Sequence, residues 1–181
     1  MTPAARLEAT PAGLVPVTDG WFVVNAREAR WRRREGFGAT CPFEGEGEAE
    51  FAQLGFALKV LEPGEPNGFY HAERGQEDFL VVSGECVLLV EGTERRLRAW
   101  DFVHCPPETA HVFVGAGEGP CVLVMVGSRL AEGIRYEPSE LAARYGASVE
   151  RETDTPAEAY AGLPSESCPA PEGALPDGSR A

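Results

Sequence analysis

The stretch that decides the fold is Gly64-Glu-Pro-Asn-Gly-Phe-Tyr-His71-Ala-Glu73-Arg-Gly-Gln-Glu77-Asp-Phe-Leu-Val-Val-Ser-Gly84. Residues two apart on a strand point to the same face, so His71 and Glu73 should project together. Gly75 permits a tight turn, and Glu77 then opens a second strand that carries Phe79 and Val81 on the same face. An antiparallel pairing of these two strands is expected, which would bring Glu77 back beside His71 and Glu73. The three histidines of the chain, His71, His104 and His111, lie in one 41-residue window with acids between them. Imidazoles and carboxylates converging inside a small barrel make a divalent-metal site.

Strand signals continue outward from this stretch. Cys86-Val-Leu-Leu-Val90 meets Glu91-Gly92 and is followed by Glu94-Arg-Arg-Leu-Arg98, a hairpin pattern. Phe102-Val-His-Cys105 stops at Pro106-Pro107, His111-Val-Phe-Val114 stops at Gly115, and an apolar run follows from Cys121 to Val126. Upstream, residues 50–61 read as a strand with Phe56, Leu58 and Val60 on the apolar face and Lys59 on the other. Trp21-Phe-Val-Val-Asn25 is a further short apolar run. Many short strands at regular spacing indicate an all-β sandwich or barrel.

These residues resemble the two motifs of the cupin superfamily. The first motif is a glycine, a His-x-His pair, a glutamate and a closing glycine. Here Gly64 is followed after six residues by His71-Ala-Glu73, after three by Glu77 and after six by Gly84. The second motif is Gly-Asp, Pro-x-Gly, His and Asn. Here Trp100-Asp101 is followed after four residues by Pro106-Pro107-Glu108, after two by His111 and after three by Gly115. Glu73, Trp100, Glu108 and Gly115 are the departures. The resemblance covers roughly residues 50–127, and it implies a double-stranded β-helix, a jelly-roll barrel of two antiparallel sheets.

The resemblance also implies metal ligands at His71, Glu77 and His111, and at Glu73, where an oxygen replaces the usual nitrogen. Either the site has two nitrogens and two oxygens, or Glu73 stands beside a two-His-one-carboxylate face that suits non-haem iron. In the second case Glu73 is the candidate catalytic base. One divalent ion is expected, with Fe, Mn or Zn favoured and Ni admitted. The imidazoles must be neutral to ligate, so affinity should fall on acidification through roughly pH 6. Such a domain would act on a small organic molecule by oxygenase or isomerase chemistry, or bind a metabolite or metal without turnover.

Four segments differ in texture: an irregular N-terminal arm over 1–20, the barrel over 21–128, a short helical extension over 129–163, and a Pro/Gly-rich tail over 164–181. The tail is expected to be disordered or to lie as an arm on the barrel or on a partner. Pro138 to Tyr145 reads as a helix stopped by Gly146, and Thr155-Pro-Ala-Glu158 as a capping box. The formal net charge of −13 argues against nucleic acid and anionic membrane surfaces as partners. Without a signal peptide or a long apolar run, a soluble cytoplasmic protein is expected. The five cysteines, an odd number without CxxC spacing, read as reduced thiols. Cys105 is expected to pack, His104 to be an exposed or satisfied strand histidine, and Tyr70 to point away from His71. Lys59 should snorkel at the surface, a pocket role binding a carboxylate being the alternative. The basic run Arg30-Trp-Arg-Arg-Arg34 should lie on a solvated edge. A homodimer is expected, with residues 14–17 and 21–24 available to extend a partner's sheet.

Overall fold

Alternating side chains along short strands, punctuated by Gly and Pro, yield fourteen strands among the residues the computed structural model describes, 1–176. They are β1 (Leu7–Thr10), β2 (Gly13–Pro16), β3 (Trp31–Arg34), β4 (Ala39–Cys41), β5 (Leu54–Leu61), β6 (His71–Glu73) and β7 (Glu77–Ser83). Then come β8 (Glu85–Val90), β9 (Thr93–Arg98), β10 (Phe102–Cys105), β11 (His111–Ala116), β12 (Cys121–Ser128), β13 (Ile134–Tyr136) and β14 (Ser165–Cys168). Two single-turn helices, α1 (Glu140–Ala143) and α2 (Pro156–Ala159), lie between β13 and β14.

A seven-stranded sheet, β10-β7-β12-β5-β4-β3-β14, faces a five-stranded one, β13-β6-β11-β8-β9, and every strand pairing is antiparallel. This is the expected jelly-roll barrel. Its interior is a cluster of Leu61, Phe79, Val81, Leu88, Phe113 and Leu123, drawn from both sheets, together with Cys86, Cys105 and Cys121. The hairpin between β8 and β9 forms as expected, its two turn residues Glu91 and Gly92 both at positive φ (46° and 70°). No helix among the described residues is long and apolar enough to cross a membrane.

The barrel is wrapped on both outer faces. The seven-stranded sheet buries Val60 and Val122 against Trp31, Ala174 and Leu175. The five-stranded sheet buries Tyr70, Ala72 and Val112 against Ala142 and Ala147 of the segment around α1. A strand covered on both sides has no solvent face, and that corrects the reading of Lys59. The apolar face of β5 (Leu58, Val60) packs under the terminal segments, while Leu61 points into the barrel. Alternation then places Lys59 on the interior face, where it is 5% exposed.

Other expectations change for equally local reasons. Strands β6 and β7 do not pair with each other. β6 pairs with β11 and β13, and β7 with β12 and β10. The turn between them crosses from one sheet to the other and docks on the chain after β12. Gln76 O accepts from Ser128 N, and a Cβ at Gly75 would meet Ser128 O at 2.5 Å. The N-terminal arm is not irregular: β1 and β2 form a hairpin, tightened by Thr10, whose Oγ1 donates to Gly13 O and accepts from Ala12 N. The strand expected from residue 50 begins at Leu54, and the run after Trp21 makes only a bridge from Trp21 to Ala4. Ser139 caps α1 through a hydrogen bond from Ala142 N, as the helix reading requires. Thr155 precedes α2 but makes no side-chain cap, and Glu158 instead accepts from Thr153 Oγ1 at 2.7 Å. The tail lies on the barrel through β14, which pairs with β3, and through buried Ala174 and Leu175; its last five residues, 177–181, are outside the described residues.

Candidate metal centre

The register of the five-stranded sheet sets His71 directly opposite His111. Their ring centroids are 5.0 Å apart. Each ring is oriented in the same way by the backbone two residues before it. His71 Nδ1 lies 2.7 Å from Phe69 O, and His111 Nδ1 lies 3.0 Å from Thr109 O. A carbonyl oxygen only accepts, so Nδ1 carries the proton in both rings and Nε2 keeps its lone pair. Glu77 reaches the pair from the facing sheet, where it heads the interior row of β7 that continues with Phe79 and Val81. One donor atom from each of His71, Glu77 and His111 lies within 4.8 Å of the other two.

The chemistry of this set fits a divalent cation. His111 is 0% exposed, yet its Nε2 has no hydrogen-bond partner, although Glu77 Oε2 is 3.4 Å away. A buried polar atom without a partner costs about 1–3 kcal/mol, and a cation held between Nε2 and the carboxylate would remove that cost. Two imidazoles on the Nε2 edge plus one carboxylate form a donor set that suits Fe(II), Mn(II) or Zn(II). The backbone carbonyls behind the rings are the outer partners that such ligands usually have.

Burial governs the protonation of these groups. It pushes His71 down to about 4, with neighbouring His111 adding to the effect against the Phe69 hydrogen bond. It lowers His111 as well. Glu77 is pushed up to about 8, by burial first and then by the charge of Glu73. Burial thus favours the neutral imidazoles that ligation requires, and Glu77 is the group whose proton must leave before a cation binds. Burial acts on the carboxyl in the opposite sense to the imidazoles.

Glu73 stands outside the group of three. Its carboxyl lines the same cavity, about 340 Å³, together with His71, Glu77, Phe79, Met125 and Tyr136. Burial raises its pKa and the charge of Arg129 lowers it. His104 is on the outer face of β10, with Nδ1 2.7 Å from Asp78 Oδ1. Cys105 is buried in the barrel core, its thiol pushed up to about 12 by burial and by Glu77. Tyr70 points away from His71 into the opposite cluster. Arg32 and Arg33 of the basic run pair with Glu46 and Glu65, whereas Trp31 is fully buried and Arg34 turns inward over the ring of Tyr160.

Sequence reasoning missed Tyr136 and Tyr160, which wall the cavity from beyond the barrel. Tyr136 pairs with His71 across β13 and β6, their rings 5.6 Å apart, and its ring meets that of Tyr160 edge to face at 5.7 Å. The short run Ile134-Arg-Tyr136 was the available signal.

Residues 57–127 match the family model described as a cupin domain. Among solved structures, a sugar phosphate isomerase of the cupin superfamily from Silicibacter pomeroyi aligns at 23% identity and TM-score 0.46, over 61% of this chain and 66% of that one. The polyketide cyclase RemF from Streptomyces resistomycificus aligns at 12% identity and TM-score 0.47, over 56% and 70%. A cupin-like protein from Thermotoga maritima aligns at 18% identity and TM-score 0.49, over 67% and 86%. The chain thus spans just under two thirds of the isomerase's length, and likeness at these identities concerns the fold alone. No curated protein matches the sequence.

Proposed function

We propose, from the premise that residues 57–127 form a cupin domain, that this domain holds one divalent ion on His71, Glu77 and His111 and carries out proton-transfer chemistry of the isomerase type on a small organic molecule. The observation that carries the reading is the bare, fully buried Nε2 of His111, aimed at a carboxylate and a second bare imidazole nitrogen. An ion there supplies Lewis acidity toward a carbonyl or hydroxyl oxygen of the bound molecule.

The remaining work falls to the chain's own side chains. Glu73 is a carboxylate beside the ligand group and outside it, so it is available to take a proton from a carbon next to the polarised oxygen and to return it. Partial burial raises its pKa, which makes it a better base than a carboxylate in water. Phe79 and Met125 give the cavity an apolar wall, and Tyr136 and Tyr160 line it as well. The phenol of Tyr136 is held in its protonated form by burial, so it can donate a hydrogen bond to substrate oxygen and cannot itself act as base near neutrality.

The test is paired titration with Mn(II) or Zn(II) and solvent-deuterium uptake by a panel of small α-hydroxy carbonyl compounds. Glu73→Gln should bind metal within about threefold of wild type and lose deuterium exchange by about 100-fold or more. If Glu73→Gln instead loses the metal, Glu73 is a fourth ligand and the base must be sought elsewhere.

A further inference from the structure

Lys59, the chain's one lysine, has no part in the chemistry just described. On the interior face of β5 it follows Gly55 and Ala57, both of which line the metal cavity. Its ammonium can donate three hydrogen bonds, and one is made, to Thr40 Oγ1 at 2.9 Å. The side chain opens on a second hollow of about 260 Å³, lined by Arg32, Arg34, Phe37, Thr40 and Tyr160 among others.

The charges around this hollow do not cancel. Arg34 stacks over Tyr160, with Cζ 3.9 Å from the ring centroid, and its buried Nε has no hydrogen-bond partner. Glu65, the acid that acts on Lys59, is paired with Arg33 at 3.1 Å, and Arg32 is paired with Glu46 at 3.0 Å. Lys59 and Arg34 are thus two cations with spare donors on one cavity, in a chain of net charge −13. The rings of Phe37 and Tyr160 meet edge to face at 5.5 Å and give the hollow an apolar wall.

We propose that this hollow binds a carboxylate through Lys59 and Arg34, and that the small molecule processed at His71, Glu77 and His111 is a carboxylic acid anchored there. The second half rests on the metal reading above; the first stands without it. The two cavities share Pro42, Asn67 and Tyr160 and so lie side by side. A planar, singly charged carboxylate matches an ammonium and a guanidinium with free N–H groups. A dianion would be repelled by Glu65. Burial pushes Lys59 down to about 7, with Glu65 opposing and Arg34 and Arg33 reinforcing the shift; a bound carboxylate would restore the ammonium.

A single lysine makes the test direct. Lysine labelled at Cε and Nζ gives one side-chain signal, followed from roughly pH 5 to 10 in metal-free wild type alone, with saturating acetate, and with sulfate, a dianion throughout that range. Acetate should raise the apparent pKa of Lys59 by about one unit, equivalent to about tenfold preference for the ammonium form, and sulfate should not. No movement with acetate, or movement with sulfate alone, would overturn the assignment. In Arg34→Gln the acetate shift should fall by more than half, and an undiminished shift would remove Arg34 from the site. His111→Ala separates the two readings, because it should abolish metal binding and leave the acetate shift intact. If metal binds normally to wild type and acetate has no effect, the anchor is wrong and the metal centre stands.

Discussion

This molecule has two neighbouring cavities with opposite chemistry. One gathers two imidazoles and the carboxyls of Glu73 and Glu77, and the other holds Lys59 and Arg34. Burial treats both alike by favouring the uncharged form of whatever is enclosed. It raises Glu77 to about 8, lowers His71 to about 4 and lowers Lys59 to about 7. The lesson is that sign differs between the cavities while the cost has one origin. The two proposals above would offset that cost with a partner of opposite charge, a cation at one site and an anion at the other.

The largest effect that sharpens this contrast is expected for His111→Ala. Loss of an outer partner of a ligand costs about 10–100-fold in metal affinity, so loss of the ligand itself should exceed about 100-fold in a competitive chelator titration. The Lys59 titration should not move. A common change at both cavities would show that they are electrostatically one site.

Lys59→Met comes next. The folded pKa of about 7 lies below the ordinary 10.5, so below pH 10.5 the unfolded chain binds a proton that the folded chain resists. The resulting cost is full below about pH 7 and disappears as pH rises toward 10.5. Met should therefore stabilise the protein by about 2 kcal/mol at pH 6, after allowance for relaxation around a buried charge. Denaturant midpoints at pH 6 and pH 10 would check it, and an equal gain at both would trace the effect to packing.

A smaller change tests the partition between the cavities. Asn67 lines both cavities, and its Oδ1 accepts from Phe113 N at 2.8 Å while its own N donates to Phe113 O. Asn67→Ala leaves a buried N–H without a partner and should cost about 1–2 kcal/mol. Because Asn67 belongs to both cavities, metal and acetate affinity should weaken together in this variant alone.

The barrel, the hairpin turn at Glu91-Gly92 and the nearness of His71, Glu77 and His111 were legible because they depend on local pattern and motif spacing. The pairing of β6 was not, because alternation gives the face of a strand and not its neighbour. His71 and Glu77 meet across the barrel, although a hairpin would have placed them together too. Lys59 was misplaced because period-two reasoning assumes that one face is wet, and here the terminal segments cover the face that looked like core. The departures from the second motif keep the backbone that the motif's glycines would have had. Trp100 and Glu108 stand at positive φ, 76° and 66°, where a side chain costs of order 1 kcal/mol or more. Gly115 replaces an asparagine because a Cβ there would lie 2.2 Å from Glu62 O. No rule based on residue type alone would retrieve these.

The wrapping of the seven-stranded sheet has a consequence for the order of synthesis. Val60 and Val122 are synthesised some fifty or more residues before Ala174 and Leu175, which bury them with Trp31. Arg27 then clasps that late segment through the carbonyls of Leu175 and Pro176. Until then a nascent chain presents an apolar sheet face with nothing over it, a surface that chaperones recognise and that promotes aggregation. The residues that look most dispensable in the chain thus decide how long the barrel waits, half-dressed, on the ribosome.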